Sequence, residues 1–63
     1  MVTRIKRQDG GIDRIVTQQY EVGLYVAVYD DKSGEFKDQF ALECKEEDYH
    51  RFLREEHQGD IVE

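Results

Sequence analysis

The chain has 63 residues, a formal net charge of −6 and a single cysteine, Cys44. One cysteine excludes an intramolecular disulfide and favours a reducing compartment. The Cys and His residues lack the spacing of a structural zinc site, and no apolar run approaches the roughly 18 residues that span a bilayer. We therefore expect a single small domain over residues 1–63, located in the cytoplasm, without a membrane, metal or cofactor. A core of this size contributes little stability, which makes a homodimer an attractive expectation.

The N-terminal third predicts a first hairpin over residues 2–18. The turn-like sequence Asp9-Gly10-Gly11 separates two segments, 2–7 and 12–18, and the β-branched pair Val16-Thr17 favours strand. Ile12, Ile15 and Val16 also fit one face of a helix. Strand is the preferred interpretation, and the helix remains an alternative.

The clearest pattern in the chain runs from Tyr20 to Tyr29, where apolar residues alternate with a second set at period 2. The following segment 30–34 is rich in Asp, Ser and Gly and predicts a loop. Residues 36–44 resume the alternation, with Phe36, Phe40 and Leu42 expected on one face. Residues 20–44 are therefore predicted to form a hairpin.

From Lys45 the period changes to that of a helix. Three acidic residues at 46–48 suit a helix N-terminus, and Tyr49, Phe52 and Leu53 form one apolar stripe. Gly59 is expected to act as the C-terminal cap, so the predicted helix covers residues 46–57. The tail at 61–62 either folds under the sheet or adds a short edge strand.

These elements define an α+β fold. We expect a small antiparallel sheet of three or four strands, in the order β-β-β-β-α, with the C-terminal amphipathic helix packed on one face. The helix stripe is predicted to cover Val22, Leu24, Val26 and Val28 of one strand, and Phe36, Phe40 and Leu42 of the next.

One helix can cover only one face of that sheet. The opposite face is predicted to be semi-apolar and tyrosine-rich, which is typical of interfaces. The candidate interface residues are Tyr25, Ala27, Tyr29, Lys37, Gln39 and Ala41. A homodimer could form through this face or through an edge strand. Tyrosine is also common in strands for reasons of β-propensity alone, and the N-terminal segment could fold over this face.

The charge is distributed unevenly. Residues 1–19 carry four bases against two acids, whereas residues 20–63 carry five bases against thirteen acids. The basic residues of the first segment, Arg4, Lys6, Arg7 and Arg14, are the candidates for contact with nucleic acid. The element order resembles that of the positive-cofactor-like single-stranded DNA binders, and that resemblance implies a sheet carrying basic and stacking residues, here Tyr25 and Tyr29.

No constellation in the sequence favours catalysis. Cys44 and His50 could form a thiolate–imidazolium pair, but a cysteine on the inward face at a strand–helix junction is usually a small core residue. His50 and His57 are seven residues apart, whereas paired metal ligands on a helix are usually four apart, and both are expected on the surface.

We therefore expect a non-enzymatic protein-interaction module, a small acidic regulator or inhibitor that acts by surface contact on a protein partner. One version has the acidic surface mimicking the phosphates of nucleic acid. The alternative is a single-stranded nucleic-acid-binding protein that uses the N-terminal basic segment and the sheet tyrosines.

Overall fold

The computed structural model describes residues 1–62. It contains a five-stranded antiparallel sheet and one helix. In chain order the elements are β1 (Val2–Lys6), β2 (Ile12–Tyr20), β3 (Gly23–Asp30), β4 (Phe36–Leu42), α1 (Glu46–Glu56) and β5 (Ile61–Val62). The strands lie side by side in the order β4-β3-β2-β1-β5. The α+β class and the C-terminal helix agree with the sequence prediction, while the strand count is five.

The N-terminal third adopts the strand alternative. β1 pairs with β2 in a register that places Val2 opposite Val16 and Lys6 opposite Ile12. In the connecting turn the Arg7 N–H donates to the Gly11 carbonyl at 2.7 Å, and the Gly10 N–H donates to the Arg7 carbonyl at 3.1 Å. Gly10 has φ 91°, a conformation that glycine adopts without steric cost. The tail adopts the edge-strand alternative, because β5 pairs with β1.

The predicted strand over 20–29 is wrong at its start. β2 continues to Tyr20, which pairs with Gly23, and Glu21-Val22 forms the turn between β2 and β3. Val22, which the alternation assigned to the core, is 92% exposed. Because Val22 is apolar, the period-2 pattern of β3 continues into the turn, and the strand is predicted to start too early.

The alternation also predicts the wrong face of the sheet for Phe36. β4 pairs with β3 so that Asp38 lies opposite Val28 and Phe36 lies opposite Tyr29, which leaves Lys37 as an extra residue in a β-bulge. Successive side chains of a strand point to alternate faces, so one inserted residue shifts this alternation by one position. Phe36 therefore lies on the opposite face from Phe40.

The helix packs mainly over β1 and β2. Of the predicted hairpin contacts, Leu24 and Val26 of β3 do share a core with Leu53 of the helix. The buried residues of the helix are His50 and Leu53, with Tyr49 partly buried beside the core. Phe52, predicted to be part of the covering stripe, is 53% exposed and stacks on Tyr49. The core therefore consists of residues from three strands and the helix, namely Ile5, Ile15, Leu24, Val26 and Leu53.

Candidate functional site

The face of the sheet opposite the helix carries no second layer in the described part of the chain. We call it the open face. The register assigns to it alternate residues of all five strands. They are Val2, Arg4 and Lys6 of β1; Ile12, Arg14, Val16, Gln18 and Tyr20 of β2; Tyr25, Ala27 and Tyr29 of β3; Phe36, Gln39 and Ala41 of β4; and Val62 of β5.

Charge is segregated between the two faces. The acidic residues within the strands are Asp13, Asp30 and Asp38, and all three lie on the helix side, opposite Ile5, Asp13 and Val28 respectively. The open face therefore has no strand carboxylate within residues 1–62, although the whole chain has a net charge of −6. Its ionisable side chains are three bases and three tyrosines.

One cross-strand line of side chains organises this face. Phe36, Tyr29, Arg14 and Arg4 lie on four adjacent strands in matching register, and we call this line the Tyr29 row. The Phe36 and Tyr29 rings meet edge to face with centroids 5.8 Å apart. The Arg14 guanidinium lies over the Tyr29 ring at 5.4 Å from its centroid. With strands about 4.8 Å apart, the row extends about 14 Å across the sheet.

The basic end of the row contains a pair of like charges. Arg4 lies directly opposite Arg14, an arrangement that costs stability in a sheet. Asp31, the first residue after β3, lies at the rim of the open face and reduces the repulsion between the two guanidinium groups. Its carboxylate oxygens are 3.8 Å from Arg4 and 3.7 Å from Arg14. These three residues and Arg54 line a depression of about 460 Å³.

The other end of the open face is apolar. Tyr20, Tyr25 and Ala41 border a depression of about 420 Å³ beside the β2–β3 turn. The Tyr25 hydroxyl donates a hydrogen bond to Gln39 Oε1 at 2.6 Å, which fixes the ring on the surface. The face thus presents a basic end and an aromatic end to the same side.

The predicted interface residues are only partly brought together. Tyr25, Tyr29, Gln39 and Ala41 lie on the open face, as the alternation predicts. Ala27 is on the same face but only 3% exposed, because a small side chain in an interior strand lies below its larger neighbours. It therefore cannot contribute contact area.

Lys37 does not belong to the open face. The bulge redirects its side chain, and Nζ contacts Asp13 on the helix side at 2.8 Å. The pattern alone could not locate this inserted residue.

Arg7, one of the predicted candidates for contact with nucleic acid, is bound by carboxylates instead. Its guanidinium is bound by Asp9 at 3.1 Å, by Asp13, and by Asp30 at 3.3 Å, and these contacts raise its pKa. It joins the β1–β2 turn to the β3–β4 loop. Arg4, Lys6 and Arg14, by contrast, do lie together on the open face. Lys6 has no carboxylate within ion-pair distance among residues 1–62.

The Asp30 carboxylate orders the loop that follows β3. It accepts hydrogen bonds from the backbone N–H groups of Lys32 and Ser33 at 3.0 and 2.9 Å. Together with the hydrogen bond from Arg7, these bonds lower the pKa of Asp30 to about 2.

A second polar cluster lies under the helix, where the sequence predicted a surface histidine. His50 is 3% exposed, and its ring lies between two buried threonines of β1 and β2. Its Nδ1 is 2.6 Å from Thr3 Oγ1, and its Nε2 is 2.7 Å from Thr17 Oγ1. Thr17 Oγ1 is also 2.7 Å from Glu46 Oε2. We call Thr3, Thr17, Glu46 and His50 the His50 network.

For a neutral imidazole, the hydrogen-bond inventory sets the tautomer of His50. An ionised carboxylate only accepts, so Thr17 donates its proton to Glu46 and accepts from His50 Nε2–H. The unprotonated Nδ1 then accepts from the Thr3 hydroxyl. Burial lowers the pKa of His50, and the hydrogen bond from Thr17, followed by the Met1 amine, lowers the pKa of Glu46.

The His50 network binds the helix to β1 and β2, and its two hydroxyls and imidazole are enclosed by protein. Thr3, Thr17 and His50 are all buried, so the network joins the helix to the sheet from within the core. The sequence did contain a signal for it: Thr3 and Thr17 occupy inward strand positions, and His50 lies one turn before the buried Leu53.

The remaining candidates for chemistry are Cys44 and His50. Cys44 is half-buried and packs against the core, and both ring nitrogens of His50 are engaged by threonines. Within residues 1–62 no three His, Cys, Asp or Glu side chains converge as a metal site. The single helix in this range falls short of the length and apolarity that a bilayer requires.

Comparison of the chain with protein-family models, with curated proteins and with solved structures gave no match.

Proposed function

We propose that this chain is a non-enzymatic protein-interaction module, a small regulator or inhibitor that contacts a protein partner through the open face. The Tyr29 row is the observation that carries the proposal. Tyrosine, phenylalanine and arginine are enriched at the centres of interfaces, and acidic residues are depleted there. The open face has this composition, while the strand carboxylates point to the helix side.

The paired arginines add a chemical preference. Arg4 and Arg14 are held side by side at a cost in stability, and among residues 1–62 Asp31 is the carboxylate that they share. A guanidinium binds carboxylates in a planar, two-bond geometry. The proposed partner therefore presents a carboxylate to this end and an apolar surface to Tyr29 and Phe36.

A matched pair of charge reversals tests this proposal. Arg14→Glu and Arg51→Glu make the same substitution on the open face and on the exposed side of the helix. We expect nuclease-treated host extract to yield a protein retained by the wild-type chain and by Arg51→Glu, but not by Arg14→Glu. Equal retention by both variants, with the fold of each checked by circular dichroism, would contradict the assignment of this face.

Single-stranded nucleic-acid binding is a second candidate function, because the same row alternates guanidinium groups with stacking rings. Two facts place it second: Arg4 and Arg14 already share Asp31, and a net charge of −6 repels a polyanion at long range.

Oligonucleotide titration separates the two functions. Tyrosine fluorescence is followed with single-stranded DNA at two salt concentrations. If phosphates bind here, log affinity falls with log salt, and Arg4→Gln reduces that slope by about 1. Arg51→Gln is the matched control. Absence of binding at low salt removes the second candidate.

A further inference from the structure

The two edges of the sheet differ in how they are protected. One edge is β5, a strand of only two residues. The other is β4, which has seven residues and is exposed along almost its whole length. An edge strand offers unpaired N–H and C=O groups to any strand that can lie beside it, and short edge strands avoid this.

The protection of β4 is concentrated at one end. The bulge and the charged residues Lys37 and Asp38 occupy its N-terminal half, and the Asp38 carboxylate accepts a hydrogen bond from the Gln39 backbone N–H at 2.8 Å. From Gln39 to Leu42 the strand is regular and uncharged. Phe40, near its middle, is 37% exposed on the helix side of the sheet.

We propose that β4 pairs antiparallel with β4 of a second copy of this chain, with the two-fold axis passing at Phe40. In such a pair, opposed residues point to the same side of the sheet. Phe40 therefore lies opposite Phe40 of the second copy, and Gln39 lies opposite Ala41. An aromatic pair of this kind is among the favourable cross-strand contacts.

Charge excludes one neighbouring register. With the axis at Asp38, two aspartates are opposed. With the axis at Phe40, Asp38 lies opposite Leu42, and no like charges are opposed between residues 38 and 42. Like charges directly opposite each other destabilise a sheet, so the Phe40 register is preferred over the Asp38 register.

A second copy also fits β4 better than it fits the open face. Stacking two open faces would bring Arg4, Lys6 and Arg14 of both copies together. Edge pairing avoids this, and it forms one ten-stranded sheet with both helices on one side and both Tyr29 rows on the other. The pairing is independent of the proposed function, because it uses a different surface.

A cysteine scan tests both the pairing and its register. In a Cys44→Ser background, Gln39→Cys, Phe40→Cys and Ala41→Cys are each oxidised, and the conversion of monomer to covalent dimer is measured. Opposed residues have Cα atoms about 4.5–5.5 Å apart, within disulfide range, whereas residues displaced along the strand lie beyond about 7 Å. We expect Phe40→Cys to be converted most completely.

Phe52→Cys, at a more exposed aromatic on the helix, is the control for random collision. Equal conversion of Phe52→Cys and Phe40→Cys would overturn the pairing, and preferential conversion of Ala41→Cys or Gln39→Cys would overturn the register. Sedimentation of the unsubstituted chain provides an independent readout. We expect its mass to rise towards twice that of the monomer with concentration and Phe40→Glu to abolish the rise; a monomer at high micromolar concentration would refute the proposal.

Discussion

The two faces of the sheet differ in what their residues contribute: one carries the core, and the other carries an uncovered row of side chains. The helix-covered face contains the core residues Ile5, Ile15 and Val26, the buried His50 network and the strand aspartates. The open face contains the Tyr29 row, whose members pack mainly on one another. A chain this short can build one layer on its sheet. The uncovered side is therefore free to carry residues that contribute little to stability.

From this difference we expect substitutions on the helix-covered face to change the stability of the fold, and substitutions on the open face to change binding to a partner. The largest effect is expected for Leu53→Ala. Leu53 is the buried aliphatic residue of the helix, and its truncation should lower the free energy of unfolding by about 2–5 kcal/mol. Urea unfolding followed by circular dichroism measures the loss.

Phe52→Ala is the control on the adjacent helix position, where the ring is largely exposed. We expect a loss of less than about 1 kcal/mol. If the two substitutions cost the same, the helix does not pack as described.

The next effect concerns pH and the His50 network. Because the folded protein holds the pKa of His50 below that of the unfolded chain, the unfolded state binds more protons below about pH 6.5. The stability from this group is fully present above that pH and declines as the pH falls. After burial, the Met1 amine adds to the lowering of the His50 pKa, Glu46 opposes it, and Arg54 supports it.

We therefore expect the free energy of unfolding to be lower at pH 5 than at pH 7 in the wild-type chain, with a weaker dependence in His50→Asn. His57→Gln, outside the network, should keep the wild-type dependence. Measurements stay above about pH 4.5, because Glu46 and Asp30, whose pKa values are lowered by folding, lose their own contribution below about pH 4. A pH dependence unchanged by His50→Asn would contradict the neutral, buried histidine.

A smaller effect on stability is expected for Arg14→Gln. The substitution removes the cation–π contact with Tyr29, worth about 0.5–1 kcal/mol at an exposed site, but it also removes the opposed charge next to Arg4. The two terms partly cancel, so we expect thermal unfolding close to that of the wild type. A loss comparable to Leu53→Ala would show that the open face supports the fold.

The smallest effect is expected for Tyr25→Phe. It deletes one exposed hydrogen bond, from the Tyr25 hydroxyl to Gln39, and keeps the ring. The free energy of unfolding should change by less than about 0.5 kcal/mol. Chemical denaturation of this variant beside Tyr25→Ala separates the hydroxyl from the ring.

The fold was predictable where pattern and turn chemistry agree. The alternation of β3, the Asp9-Gly10-Gly11 turn and the acidic start of the helix all indicate the elements that the structure contains. The prediction was wrong where a single residue changes the phase. The bulge at Lys37 moved Phe36 to the open face, and the turn at Glu21-Val22 shortened a strand.

The candidate site was predictable in outline only. Alternation placed Tyr25 and Tyr29 together, but Arg14 joined them only through the register between β2 and β3. The segregation of charge was hidden for the same reason: the excess of acid in residues 20–63 is a property of the sequence, whereas the placement of Asp30 and Asp38 on the helix side depends on pairing. His50 was expected on the surface because its threonine partners are remote in the sequence.

Amide chemical-shift mapping tests most directly whether contact is made by the open face. The ¹⁵N-labelled chain is titrated with the protein recovered from nuclease-treated extract. We expect the largest shifts along the Tyr29 row, at Arg4, Arg14, Tyr29 and Phe36, while the helix Glu46–Glu56 changes little. Shifts concentrated on the helix, with the Tyr29 row unchanged, would contradict the proposal.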